Sequence, residues 1–233
     1  HNDTSEKLAV KDSPSSHMSE AFRSVRAKLN YFFKESDCHV IIITSSLSGE
    51  GKSFSSVNLA SLYAISGKKT VVIGADLRRP SLSQYFSNYP KKGLSNYLVG
   101  NIDLSEAIVH SDIEHLHFIP AGEIPPNPYE LLAGAKFSEL MDILKSRYEI
   151  IVIDTSPLLL VSDALPIVKY GDVNILIVRY DKTYIKSLES INELVESQEI
   201  SNFCVLFNDL DKSHLRYKYG YKYKYKYKYY YKN

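Results

Sequence analysis

The stretch VIIITSSLSGEGKSF, residues 40–54, passes from a β-branched apolar run through a glycine-bearing loop into a helix pattern. Val40 to Thr44 is too short for a helix and reads as a buried strand. The loop TSSLSGEGKS (44–53) nearly fits the pattern of a phosphate-binding loop, with Ser46 standing where the first glycine would be. Gly49 and Gly51 let the backbone turn its N–H groups inward, and the N-terminus of the following helix adds its dipole. Lys52 would then reach the β- and γ-phosphates of a nucleotide, and the Ser53 hydroxyl would bind Mg2+. Ser48, Glu50 and Phe54 complete the expected nucleotide contacts.

Working outward, the strand–loop–helix unit is one of a series. TVVIGA (70–75), LHFIPA (116–121), EIIVID (149–154), VNILIVR (173–179) and FCVLF (203–207) are short, Val- and Ile-rich runs. Helical patterns lie between several of them, at 53–66, 127–148 and 184–199. Continuous apolar strands alternating with helices predict an α/β fold, a mostly parallel sheet with helices on both faces. Ligands of such sheets sit beyond the carboxyl ends of the strands, so chemistry is expected in the loops after Thr44, Ala75 and Asp154.

Two of those loops carry acids. YEIIVIDTSP delivers Asp154 at the end of an apolar strand, where a carboxylate can hold Mg2+ directly or through water. VVIGADLRRP places Asp76 after a second strand. On its own Asp76 could cap a helix. With Lys52 and Asp154 it becomes a third catalytic candidate, facing the γ-phosphate and sharing the metal with Ser53 and Asp154.

The 233 residues suit one α/β domain, or at most two small ones, and 44% hydrophobic with 24% charged residues is normal for a globular chain with a sizeable core. No run approaches the ~18 apolar residues of a membrane span. The chain begins at His1 and is read as a fragment, with upstream membrane segments left open. Cys38 and Cys204 lie far apart and read as free thiols of a reducing compartment. Residues 1–15 are polar and read as a linker, 16–212 as the nucleotide-binding domain and 213–233 as a flexible tail.

The tail, RYKYGYKYKYKYKYYYKN, carries about seven positive charges and no acid, which leaves the body at roughly −6. On residues alone it admits a nucleic-acid arm, a strand, an inert segment or a substrate.

Together these motifs resemble the bacterial tyrosine kinases (BY-kinases), the kinase domains of capsule and exopolysaccharide regulators of the Wzc/CapB kind. TSSLSGEGKS is similar to the family's Walker A loop, ADLRRP (75–80) to its Walker A′ motif and IDTSPLLLVSDA (153–164) to its Walker B stretch. IPAGEIPPNPYELL (119–132) is similar to a Pro-Pro-Asn-Pro segment of the family. The resemblance implies a MinD/ParA-like P-loop NTPase fold, ATP and Mg2+ as cofactors, and tyrosine phosphorylation. It implies that Glu20, Arg23 and Arg26 pack copies into a ring and that Asn208 contacts adenine. It makes Tyr217, Tyr219, Tyr221, Tyr223, Tyr225, Tyr227, Tyr229, Tyr230 and Tyr231 the acceptors, phosphorylated in trans, with no nucleic acid as partner. A transmembrane activator segment, fused or separate, and a place at the cytoplasmic face of the inner membrane are also implied, for a piece that is itself soluble. MinD/ParA ATPases share the fold, but no lysine precedes Lys52 in this loop as their signature lysine would. One departure stands out. The family's Walker A′ reads Asp-x-Asp, and here Gly74 replaces the first acid, the proposed base. Either Asp76 covers both roles, or transfer needs little base help, or ATP binds without transfer.

Overall fold

The computed structural model describes residues 8–33, 35–197 and 200–210. In chain order the helices are α1 (Ala9–Asp12), α2 (His17–Leu29), α3 (Lys52–Ile65), α4 (Leu94–Leu98), α5 (Leu104–Ala107), α6 (Pro128–Ala133), α7 (Ala135–Lys145), α8 (Leu165–Val168) and α9 (Ile185–Glu196). The strands are β1 (His39–Ser45), β2 (Thr70–Gly74), β3 (Val109–His110), β4 (Leu116–Ile119), β5 (Ile150–Asp154), β6 (Val173–Arg179) and β7 (Phe203–Asn208). They form one sheet in the order β3-β4-β2-β5-β1-β6-β7, parallel except for the β3–β4 pair.

The strands are apolar throughout because both faces are covered. In β1, Val40 and Ile42 join a core with Phe137, Leu140, Met141 and Leu144 of α7. Ile41 and Ile43 face the other way, onto Val57, Ala60 and Tyr63 of α3 and Leu29 of α2. Alternation along each strand thus feeds two cores rather than one core and solvent. The parallel register Ile43↔Asp154 and Gly74↔Asp154 aligns the carboxyl ends of β1, β5 and β2. The three motif loops therefore emerge side by side.

Two sequence expectations are corrected. The helical pattern over 127–148 is two helices, because Gly134 takes an extended conformation between α6 and α7. Residues 8–15, read as part of a polar linker, begin packing earlier. Ala9 and Val10 of α1 are buried, and the Val10 N–H donates to Asn58 Oδ1 at 3.2 Å. An apolar pair is enough to seat one turn on α3. The boundary at 212 and the tail with its tyrosines lie outside the described residues. Cys38 and Cys204 are free, and burial pushes both thiols up to about 11. Among the described residues no helix is long and apolar enough to cross a membrane.

Candidate functional site

The loop between β1 and α3 is held in shape by its own glutamate. Glu50 is buried and its carboxylate accepts the Leu47 N–H at 2.8 Å and the Ser46 hydroxyl at 2.9 Å. The Thr183 hydroxyl, from the loop after β6, donates to the same carboxylate. Gly49 and Gly51 have φ of +78° and +102°, a region that L side chains rarely occupy. A Cβ on Gly51 would stand 2.3 Å from Asn208 Nδ2. Gly51 is also the N-cap of α3, and no side chain caps that helix. Its first N–H groups are therefore open to an anion.

Lys52 opens α3 and is buried, and among the described residues no carboxylate lies within ion-pair distance of it. An ammonium so placed calls for an external anion. Lys52 shares a cavity of about 340 Å3 with Ser48, Gly49, Gly51, Ser53, Phe54 and Asp76, and Arg79, Ser81, Gln84 and Tyr85 also line it. Ser53 Oγ donates to Asp154 Oδ2 at 2.5 Å and also meets Ser81 Oγ at 2.5 Å. Ser56 Oγ reaches the other Asp154 oxygen at 3.3 Å. Burial pushes the Asp154 carboxyl up from 3.8 to about 6. The Ser53 hydroxyl and the Lys52 ammonium pull it down, the Asp76 charge pushes it up and the Ser56 hydroxyl pulls it down again. Asp76 accepts the Arg79 N–H on Oδ1 at 3.0 Å, so it caps its own turn as well as lining the cavity.

This donor set fits a metal-bound nucleotide. A hydroxyl and a buried carboxylate in contact are hard oxygen ligands, and the loop offers backbone donors to phosphate. Gly74 is tightly surrounded: a Cβ there would stand 3.0 Å from Leu82 Cδ1 and 3.2 Å from the Ala121 nitrogen. The Walker A′ position that carries an acid in the resembled pattern is packed against β4 here.

Asn208, at the end of β7, donates to the Glu50 carbonyl at 3.0 Å and so lies over the phosphate loop. Glu20 and Arg23 pair with each other within α2, and Arg23 also donates to the Pro14 carbonyl at 2.8 Å. Arg26 turns to α3 and donates to the Leu62 carbonyl at 3.1 Å. The three are thus one helix face, with intrachain partners.

The sequence reading missed the loop after β6. Arg179 Nη1 and Lys182 Nζ donate to the Gly49 carbonyl at 3.0 and 3.1 Å. Arg179 ends an apolar strand next to β1, and the strand-end rule that marked Asp154 marks it equally. A larger cavity, of about 780 Å3, is lined by Arg26, His39, Tyr63, Lys68 and Glu149 at the amino ends of β1 and β5. It lies at the amino ends of the strands and has no glycine loop, so the smaller phosphate cavity is the stronger candidate site.

The fold and these motifs define a P-loop nucleotide-binding domain. A family model described as an AAA domain matches residues 38–203. The tyrosine-protein kinase ptk of Acinetobacter johnsonii is 36% identical over 210 residues, 90% of this chain. The chain spans 28% of the length of that relative. The tyrosine-protein kinase CpsD of Streptococcus agalactiae serotype III is 34% identical over 199 residues, 85% of each chain. The solved kinase domain of the Escherichia coli tyrosine kinase ETK superposes with a TM-score of 0.83 at 29% identity, over 93% of this chain and 85% of that one. The chain belongs to the bacterial tyrosine-protein kinase family, and the resemblance of its motifs is borne out at that level.

Proposed function

We propose that this domain transfers the γ-phosphoryl group of ATP to tyrosine hydroxyls in the C-terminal cluster of an adjacent copy. The observation that supports it best is the meeting of Lys52, Ser53 and Asp76 around one cavity at aligned strand ends, with the buried Asp154 bonded to Ser53. The loop N–H groups and Lys52 bind the phosphates, and Asn208 reaches the base side of the nucleotide. Mg2+ held by Ser53 and Asp154, with Asp76, would neutralise charge on the β- and γ-phosphate oxygens. Asp76 takes the phenolic proton. With Gly74 in place of the first acid, one carboxylate serves where the resembled pattern has two. A loose transition state asks little of a base, which makes one acid sufficient.

Further parts of the reading come from resemblance. The domain acts in control of capsule or exopolysaccharide polymerisation or export. It works in a ring of copies at the cytoplasmic face of the membrane, under an activating segment of a transmembrane partner. The nine tail tyrosines, Tyr217 to Tyr231, set a charge switch. Each phosphate adds about −1.5 to −2, so four or five cancel the tail's roughly +7 and nine make it strongly negative. Unmodified tails hold acidic bodies together and modified tails drive them apart. Size-exclusion chromatography before and after MgATP treatment tests this, and an unchanged mass after full tail phosphorylation counts against it.

The tight packing at Gly74 favours one alternative, an ATPase or nucleotide-sensing scaffold without transfer. Incubation with MgATP, with Lys52→Met as control, separates these. Phosphotyrosine by mass spectrometry that is lost in the variant supports the kinase. Released phosphate without phosphotyrosine selects the ATPase, and neither product selects the scaffold.

A further inference from the structure

The loop after β6 meets the phosphate loop through three side chains. Arg179 Nη1 and Lys182 Nζ both donate to the Gly49 carbonyl, at 3.0 and 3.1 Å, and the Thr183 hydroxyl donates to the Glu50 carboxylate. The turn that carries them is tightly closed. Its Lys182 and Thr183 N–H groups donate to the Arg179 carbonyl at 3.2 and 3.0 Å, and the Arg179 N–H donates to Thr183 Oγ1 at 2.9 Å. Asp181 lies at φ +54°, a conformation that a short polar side chain tolerates. Arg179 Nε and Nη2 lie 3.0 and 2.9 Å from Asp209 Oδ2, which leaves Nη1 for Gly49. From the end of β7, Asn208 Nδ2 donates to the next carbonyl of the phosphate loop, that of Glu50, at 3.0 Å.

A trans peptide unit points its C=O and N–H in opposite directions, and no peptide bond is cis among the described residues. The Glu50 N–H belongs to the unit whose carbonyl Arg179 and Lys182 hold, and the Gly51 N–H to the unit whose carbonyl Asn208 holds. Both N–H groups therefore face away from these side chains, and neither has an acceptor among the described residues. Left-handed φ at Gly49 and Gly51, on either side of Glu50, is the alternation that turns successive N–H groups to one side as an anion nest. The arrangement is easily lost. Glycine accepts either sign of φ, so the unit after Gly49 can turn over and present its carbonyl where the N–H had been. A carbonyl oxygen facing phosphate repels it. Two cationic donors fill both lone pairs of the Gly49 oxygen and oppose that rotation.

We propose that Arg179 and Lys182 are positioning residues for nucleotide binding: by holding the Gly49 carbonyl they keep the 49–50 peptide unit turned so that the Glu50 N–H meets phosphate oxygen. The inference rests on the nucleotide site of the reading above. Neither side chain touches the ligand. Each acts through the backbone, and because both bind one oxygen, either holds the unit alone. The loop is thus set in its binding form before a nucleotide arrives, and the apparent affinity falls only as far as the correctly turned fraction falls.

Calorimetry on the full chain tests it, with ADP and inorganic pyrophosphate as probes, in wild type, Arg179→Met, Lys182→Met and the double variant. Both bonds to Gly49 are exposed, so the urea midpoint without ligand is expected to stay at the wild-type value in all four. A hydrogen bond from a charged group is worth about tenfold or more. One remaining donor therefore keeps the unit turned, and each single variant is expected to raise the ADP Kd by no more than about twofold. The double variant is expected to raise it about tenfold, more than the product of the singles, and to raise the pyrophosphate Kd by the same factor. A double variant that only multiplies the singles overturns the proposal, by showing two independent charges acting on the ligand at a distance. An ADP loss without a pyrophosphate loss also overturns it, by placing the side chains at the base. So does a urea midpoint that falls in step with affinity, which marks a merely structural tie. An unchanged ADP Kd in the double variant overturns the positioning role and leaves the nucleotide site standing. Failure of wild type to bind ADP overturns the site itself and the inference with it.

Discussion

Asp154→Asn should make the nucleotide-free protein more stable at neutral pH while abolishing transfer. Asp154 is buried, and its carboxyl is pushed from 3.8 to about 6, chiefly by loss of water. A shift of about two units corresponds to about 3 kcal/mol of penalty on the charged form. The native state holds this proton more tightly than the unfolded chain does. Between pH 3.8 and about 6 the native state therefore binds more protons, and stability falls as pH rises through that window. Above about pH 7 the whole penalty is present. Asparagine removes the charge but not the shape. It keeps an acceptor for Ser53 and gives up the second acceptor used by Ser56, which returns about 1 kcal/mol. The net expectation is a gain of about 1–2 kcal/mol at pH 7.5, shrinking toward zero near pH 4. Urea unfolding of both proteins at several pH values, without nucleotide or Mg2+, measures it. Asparagine less stable than wild type at pH 7.5, or a gap independent of pH, would refute the claim that burial of this charge dominates.

Three further outcomes are expected. Gly51→Ala forces a Cβ onto a backbone at φ +102° and to 2.3 Å from Asn208 Nδ2, so it should cost about 1–3 kcal/mol and weaken ADP binding at least tenfold by calorimetry. Glu50→Ala strands the Leu47 N–H and the Ser46 and Thr183 hydroxyls, and should lose about 2–3 kcal/mol in urea together with nucleotide affinity. Phe137→Ala empties a fully buried site on the α7 side of the sheet and should cost about 3–5 kcal/mol, with ADP affinity unchanged under native conditions.

Much of this was legible because the decisive signals are local. β1, β2, β5 and β6 are continuous apolar runs since both faces of the sheet are covered, and the loops that follow them carry the glycines and acids. β3 escaped because two residues show no period. The break at Gly134 escaped because an isolated glycine interrupts neither the apolar spacing nor the helix formers around it. Within the site, Lys52, Ser53, Asp76 and Asp154 could be read from strand-loop patterns. Arg179, Lys182 and Thr183 could not be assigned to the loop, because they meet Gly49 and Glu50 only through the β1–β6 pairing of distant segments. The Arg78–Asp163 ion pair is hidden for the same reason: it depends on β2 lying against β5.

The same features that make the site fit a nucleotide make it costly without one. Asp154 holds a charge against burial, and Lys52 is buried with no carboxylate within ion-pair distance among the described residues. A helix N-terminus without a side-chain cap adds open donors. Each is relieved by one kind of ligand, an anion carrying a divalent cation. Binding energy and recovered stability are then two readings of one quantity. A ligand at about 100 times its dissociation constant should add about 2.7 kcal/mol to unfolding. In wild type, part of that gain reflects relief of Asp154 by the cation and should shrink below about pH 5, where the carboxyl is already neutral. In Asp154→Asn the metal-dependent part should be absent at every pH, while the phosphate-dependent part, held by Lys52 and the loop, persists with ADP alone. A metal-dependent gain that survives in the asparagine variant would mean that the cation is held elsewhere, and that the buried acid at the end of β5 owes its position to something other than nucleotide chemistry.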